Sequence, residues 1–199
     1  MADINETASN FLEKISKFLE KPNNAMALGG GIALAIVVLY HTRSLFGGGF
    51  IFGPFFTFLH VVSGVTWIGL LYYFNLVQIP TMPKIPPEQK SGVVKYIAPE
   101  ALFWFRWSMV ATVVTGAIVF FSGTAAVNFT LLTGIVLGLV MGFNVWFIIW
   151  PNQQKALGLV SADDEEKAKS ARLAMLTSRF NFVLSVPMLY CMVTARLVG

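Results

Sequence analysis

Five apolar stretches, each about as long as a lipid bilayer is thick, dominate this 199-residue sequence. A helix crosses the hydrocarbon core of a membrane with about 20 mostly apolar residues. The stretches of that length are residues 25–46, 54–78, 102–122, 129–150 and 178–198. Charged residues make up only 12% of the chain, about half the share in a soluble domain. The sequence therefore predicts an all-α integral membrane protein, a bundle of five transmembrane helices in the lipid bilayer.

The basic residues predict how the bundle is oriented, because the cytoplasmic loops of membrane proteins are enriched in lysine and arginine. With the five spans as given, twelve of the fourteen basic residues fall on one side, and only Arg43 and Arg196 fall on the other. We expect a cytoplasmic N-terminus, an outer C-terminus and a location in the inner (cytoplasmic) membrane. The basic residues are scattered at the ends of apolar runs, where they set the orientation of the helices in the membrane. They form no basic patch, so we expect no nucleic-acid partner.

The polar N-terminal segment, residues 1–24, differs in character from the membrane domain, residues 25–199. In the stretch FLEKISKFL, residues 11–19, the apolar side chains fall on one helical face: Phe11, Leu12, Ile15, Phe18 and Leu19. This pattern is typical of an amphipathic helix on the cytoplasmic membrane surface. A helix that docks on a partner subunit is the alternative. No cleavage site for a signal peptide is apparent, so we expect the first span to be retained.

Three connecting segments carry patterns of their own. The glycines at 47–49 predict a tight outer turn that makes the first two spans antiparallel neighbours. The five prolines within residues 80–99 predict an irregular loop along the cytoplasmic surface. Residues 161–177 predict a separate solvated helix with Ser161 as its N-cap.

The two histidines, His41 and His60, are the candidate metal ligands. Both fall inside predicted spans, about 7–10 Å below the outer surface. An ionisable side chain at that depth is costly unless it is paired, so it suggests a function. Neutral imidazole is a common ligand of haem iron, and haem b needs only one or two such ligands, whereas zinc needs more. The alternatives are a hydrogen bond to a neighbouring helix or, for His41, an interfacial position beside Arg43.

Small residues form a stripe on span four, where glycine recurs every fourth residue: Gly134, Gly138 and Gly142. Close helix packing is the usual cause of such a stripe, but a porphyrin edge would fit the same groove, which makes Gly138 a candidate cofactor contact. Span two has a second small stripe, Ser63 and Gly64, next to Trp67. We therefore expect spans two and four to face each other. Cys191 is the only cysteine, so we expect no intrachain disulfide and no CxxCH site for covalent haem.

Four stretches resemble the bacterial membrane urate hydroxylase family, the urate oxidase N-terminal membrane domain. FLHVVSGVTWIGLLYYFN, residues 58–75, is similar to that family's pattern H-x-x-x-G-x-x-W-I-G followed by Tyr and Phe. The resemblance continues through ALFWFRWSMVATVVTG (101–116), NVWFIIWPNQQK (144–155) and SRFNFVLSVPMLYCMV (178–193). It implies a haem-associated membrane oxidoreductase domain in which His60 is an axial ligand and Gly64 and Trp67 lie beside the cofactor. His41 lies upstream of the similar region, so the resemblance assigns it no role.

Full-length members of that family also carry a C-terminal cytochrome c, whereas this sequence resembles a short form without it. We therefore expect a separate cytochrome c or a quinone as redox partner. The predicted function is a haem b-binding oxidoreductase or electron-transfer subunit. The alternative is a non-catalytic accessory or assembly subunit of a larger membrane complex or homo-oligomer. A haem protein needs a gap between helices beside His60, whereas an accessory subunit would have that space filled by side chains.

Overall fold

A computed structural model describes residues 2–46 and 52–197, and every regular element within them is helical. We number the helices α1 to α6 in chain order. Their bounds are Ala2–Leu19, Pro22–Phe46, Phe52–Lys84, Pro87–Phe121, Phe129–Ala156 and Asp164–Thr194. Within the described residues, α3 to α6 and the Pro22–Tyr40 part of α2 are long and apolar enough to cross a membrane. The prediction of an all-α protein with five spans is confirmed to that extent, and its orientation stays a prediction.

The chain divides into two compact units, Met1–Ile51 and Phe52–Gly199. In the first unit, α2 begins at Pro22, a position where proline's missing N–H costs nothing. The Asn24 side chain donates a hydrogen bond of 2.9 Å to the Phe18 carbonyl and so ties the end of α1 to the start of α2. The five apolar residues of the predicted amphipathic face are all exposed on α1, but their place on a membrane surface stays a prediction. The predicted glycine turn at 47–49 lies outside the described residues.

In the second unit, α3 to α6 form an antiparallel four-helix bundle. Helix α3 packs along α4, α5 packs along α6, and smaller contacts of α4 with α5 and of α6 with α3 close the ring. Contacts between α3 and α4 run in opposite sequence directions, from His60 against Gly116 to Phe74 against Phe105. The core between the helices is filled by aromatic, aliphatic and methionine side chains. Its largest fully buried hydrophobic members are Phe105, Leu71, Met141 and Val145.

The packing corrects the prediction that spans two and four face each other, because α3 and α5 lie diagonally across the ring. Gly64 of α3 faces α4 instead, where a Cβ atom built on it would lie 3.8 Å from Cγ2 of Thr112. A stripe of small residues marks a face of close approach, but it does not identify the partner helix. The prediction therefore identified faces of close helix packing correctly but paired the wrong helices.

The predicted irregular loop at 80–99 is also wrong, because in the structure only Ile85 and Pro86 interrupt the helices there. Three wide π turns interrupt the α-helical spacing of the second unit: Phe74–Gln78, Val93–Ile97 and Asn144–Ile149. A proline follows the last residue of each turn by two positions: Pro80, Pro99 and Pro151. A proline ring collides with the carbonyl four residues earlier, and in all three cases that carbonyl belongs to the π turn. The wider turn accommodates the ring, so these prolines are built into continuous helices.

The segment 161–177 and the fifth span are one helix rather than two, since α6 runs without a break from Asp164 to Thr194. Its N-cap is Asp163 and not Ser161, because the Asp163 carboxylate accepts a hydrogen bond of 2.8 Å from the Glu166 amide. Lys155 and Glu166 form an ion pair at 2.5 Å that fixes this polar half of α6 against the end of α5. Hydropathy marks where a span ends, whereas these polar contacts let the helix continue beyond it.

Candidate functional site

The half-buried His60 side chain lies at the contact between α3 and α4. Its Nδ1 atom is 2.8 Å from the backbone carbonyl oxygen of Thr112. A carbonyl oxygen can only accept a hydrogen bond, so a neutral imidazole in this position carries its proton on Nδ1. The lone pair is then on Nε2, and no hydrogen bond to Nε2 is found among the described residues. A backbone carbonyl on one ring nitrogen is the usual support for a histidine that binds a metal with the other.

Gly116 of α4 makes the room that this histidine needs. A Cβ atom built on Gly116 would lie 2.8 Å from Cε1 of His60 and 2.9 Å from Nδ1. Any side chain at this position would therefore push the imidazole away from the Thr112 carbonyl. Sequence reasoning missed Gly116, although an isolated glycine inside an apolar helix is itself a signal of close packing.

The hydroxyl groups around this contact are satisfied within their own helices. Thr112 donates to the Ser108 carbonyl at 2.7 Å, and Thr115 donates to the Ala111 carbonyl at 2.6 Å. Ser63 donates to the Leu59 carbonyl at 2.6 Å. Of these four side chains, only His60 forms a hydrogen bond between α3 and α4. Its Nε2 atom is the polar atom of this contact that could bind a ligand.

Gly64 and Trp67 lie on the same face of α3 as His60, one and two turns along the helix. Trp67 is only 2% exposed and belongs to the core, where its indole Nε1 is buried with no hydrogen-bond partner among the described residues. The structure thus brings these three predicted site residues to one interface. They line a packed contact between α3 and α4 rather than the edge of an open gap.

Gly138 does not join this group, because α5 lies across the bundle from α3. A Cβ atom on Gly138 would lie 4.0 Å from Cγ of Met188 on α6. On the same face, Gly134 approaches Cys191 and Gly142 approaches the sulfur of Met109, each at 3.0 Å from the built Cβ. The glycine stripe therefore packs against methionine and cysteine side chains, as close helix packing predicts. In this part of the described bundle the methionines fill the groove that a porphyrin edge would need.

His41 contributes its backbone to α2, but its side chain lies outside the described residues. Helix α2 also belongs to the first unit and His60 to the second. A shared ligand of His41 and His60 therefore stays a prediction.

Three buried asparagines form hydrogen bonds between helices. Asn144 donates to the Asn181 side chain at 2.8 Å, and Asn181 donates to the Met141 carbonyl at 3.0 Å. Asn75 donates to Ser178 at 3.0 Å. These bonds connect α5 to α6 and α3 to α6. They stabilise the bundle, and among the described residues no group of three or more His, Cys, Asp or Glu side chains could hold a metal ion.

Residues 117–197 match a family model described as urate oxidase N-terminal. The matched range contains the end of α4, the whole of α5 and α6, and their connections, while His60 precedes it. The match confirms the resemblance to this family within that range, which contains the motifs at 144–155 and 178–193. No curated protein and no solved structure matches the chain significantly.

Proposed function

We propose that this chain is a urate hydroxylase-like membrane domain that binds haem b through Nε2 of His60. The observation that carries the proposal is the hydrogen bond from Nδ1 of His60 to the Thr112 carbonyl, which directs the imidazole lone pair to Nε2. The family match supports the membrane domain, and the depth of an imidazole within an apolar helix supports a ligand role.

The residues around His60 would position and tune such a ligand. The Thr112 carbonyl would fix the orientation of the imidazole, while Gly116 would keep the ring against α4. A bound haem would supply one-electron chemistry, with a separate cytochrome c or a quinone as the partner. His41 stays a further candidate ligand of the haem iron.

The packed interior restricts this proposal. Side chains fill the space between α3 and α5, and methionines cover the glycine stripe of α5. Gly138 packs against Met188 of α6, so it is not among the residues that would hold the ring on the side of His60. The proposal requires the haem at the periphery of the α3–α4 pair, and Trp67 would support His60 from within the core rather than touch the cofactor.

The test is a reduced-minus-oxidised visible spectrum of the detergent-purified full chain, beside the variants His60→Ala and His41→Ala. We expect a sharp b-type α-band in the unmodified protein that disappears in His60→Ala. If His41 is the second ligand, His41→Ala keeps some haem but shifts or broadens the band. A featureless spectrum from protein expressed with ample haem would contradict haem binding.

The accessory-subunit function is the second candidate, and the filled bundle interior is the observation that favours it. Under that function His60 would serve only as a hydrogen-bonding group between α3 and α4, worth about 1 kcal/mol in a membrane. His60→Ala would then lower stability slightly and change no spectrum. A partner that copurifies with the chain in the absence of haem would support it.

A further inference from the structure

A second site is indicated by Arg106, a half-buried arginine on α4. Its guanidinium carbon lies 3.3 Å from the centre of the Trp150 ring on α5, so the two planar groups stack. None of the ion pairs among the described residues includes Arg106. Its terminal nitrogen Nη1 is buried with no hydrogen-bond partner there. An arginine that is withdrawn from water and lacks an anion is costly within a membrane protein.

A cleft of about 370 Å³ opens beside this guanidinium. Its walls come from α4, from α5 and from the turn that follows α5: Pro99, Glu100, Phe103, Arg106, Trp150, Leu157 and Leu159. The lining is mostly apolar, with one basic and one acidic side chain. A volume of this kind accommodates a small group of atoms with both polar and apolar parts.

The tryptophans near the cleft are typical of the level of a membrane interface. Trp104 and Trp107 are about half exposed on α4, and Trp107 contacts Trp146 of α5 with ring centres 6.0 Å apart. Trp150, which stacks on Arg106, follows Trp146 by one turn, so these four tryptophans lie on neighbouring stretches of α4 and α5. Tryptophan is enriched at the depth of the lipid headgroups, where its ring is apolar and its N–H is polar. The chemical groups that occur at this depth are the phosphates and glycerol esters of lipids.

We propose that the cleft binds the phosphodiester headgroup of a phospholipid, with Arg106 donating to the phosphate. Arginine offers a planar set of N–H groups that matches phosphate, and basic pockets between membrane helices recognise lipid headgroups in this way. The apolar walls fit the start of an acyl chain. Glu100 at the exposed rim repels a second negative charge, so the cleft suits one phosphate joined to a group that can donate hydrogen bonds, such as glycerol or ethanolamine.

The test is native mass spectrometry of the full chain in detergent, titrated with phosphatidylglycerol. We expect Arg106→Gln to weaken lipid binding by roughly tenfold to a hundredfold, because a hydrogen bond to a charged group is lost. The matched control is Arg172→Gln, which removes the same charge from an exposed position on α6. It should leave the affinity within about twofold, as expected for a charge that makes no specific contact.

A second variant, Leu159→Trp, keeps Arg106 and fills the cleft from the turn after α5, so it tests the site if Arg106→Gln does not fold. It should weaken phosphatidylglycerol binding to a similar degree. Equal binding in the unmodified protein, Arg106→Gln and Leu159→Trp would overturn the proposal. Inorganic phosphate that displaces the lipid at equal concentration would identify a soluble anion as the ligand and would also overturn it. Haem content should be the same in all these variants, which separates this site from the function proposed for His60.

Discussion

His60 and Gly116 depend on each other although 55 residues separate them in the sequence. The histidine supplies the proposed ligand atom, and the glycine supplies the space in which the imidazole can reach the Thr112 carbonyl. Without that carbonyl the imidazole could take either tautomer, and Nε2 would have no fixed direction. Gly116 therefore acts through the absence of a side chain, which leaves room for the imidazole.

Gly116→Ala tests this dependence. The added methyl group would lie 2.8 Å from Cε1 of His60, so the ring must move and its hydrogen bond to Thr112 must break. We expect the free energy of unfolding to fall by about 1–3 kcal/mol, the usual cost of overpacking, and any haem α-band to weaken or shift. The measurements are denaturant unfolding in detergent and the visible spectrum of the same sample.

The matched control for that substitution is Gly69→Ala on α3, where a Cβ atom would meet no heavy atom within 4 Å. It should leave both the spectrum and the stability nearly unchanged. Equal effects of the two substitutions would show that Gly116 holds no special place beside His60.

At the residue scale, sequence reasoning found the groups that contrast with their surroundings. His60 is polar within an apolar span, so it was identifiable from its position alone. Gly116 and the stack of Arg106 on Trp150 were missed, because their roles depend on which helices become neighbours. Arg106 was counted only as a charge that sets the topology. Its position just inside a span was the signal that could have revealed the cleft.

At the scale of the element, the π turns explain how proline-rich segments remain helical. A turn closed by bonds from residue i to i+5 contains one residue more than an α turn. The residues before and after the π turn therefore point in the same directions as they would in a regular α-helix that is one residue shorter. In α5, Gly134 and Gly138 therefore face α6 before the turn, and Trp150 lies beside Arg106 of α4 after it.

A deletion experiment tests this account of α5. Phe147 is 68% exposed within the π turn, and Val136 is 58% exposed in the regular part of the same helix. Deleting Phe147 in a Pro151→Ala background should convert the π turn into an α turn and preserve both faces. Deleting Val136 should rotate one half of α5 by about 100° against the other and disrupt the packing.

The thermal unfolding midpoint of each purified variant in detergent measures the difference. The Phe147 deletion should stay close to its Pro151→Ala parent, whereas the Val136 deletion should yield little folded protein. A similar fall of the unfolding midpoint in both deletions would mean that the π turn does not arise from one extra residue in the helix.

The spans could be predicted from the sequence because the bilayer thickness fixes the length of an apolar helix. The ends of the helices could not, since α6 continues from its span into a charged segment and Pro80 and Pro99 follow π turns inside α3 and α4. Both features depend on contacts outside the local sequence. The N-cap of α6 shows the same limit, because Ser161 and Asp163 are both suitable caps and only the geometry selects Asp163.

At the scale of the whole molecule, the order of helices in the second unit decides which predicted site residues can meet. In the ring of α3, α4, α5 and α6, each helix packs on its sequence neighbours and α6 returns to α3. His60, Gly64 and Trp67 therefore share the α3–α4 contact, while Gly138 lies on the opposite pair. Stripes of small residues predict close faces, but the sequence alone does not say which faces meet.

The orientation in the membrane is the last prediction, and two loops at opposite ends of the bundle test it. Ala126 is exposed in the connection between α4 and α5, and Val160 is exposed in the connection between α5 and α6. The positive-inside rule places the first outside the cell membrane and the second in the cytoplasm, since twelve of the fourteen basic residues lie on the side of Val160.

Each position is replaced by cysteine in a Cys191→Ala background, which removes the only native thiol. Spheroplasts, whose inner membrane is intact, are then treated with a membrane-impermeant maleimide. Ala126→Cys should be labelled at once, and Val160→Cys only after the membrane is permeabilised. The reverse pattern would place the N-terminus outside, and it would move the cleft of Arg106 from the cytoplasmic leaflet to the outer one. His60, which lies toward the Ala126 end of the bundle, would then face the cytoplasmic side, so a redox partner of the proposed haem would have to be sought there.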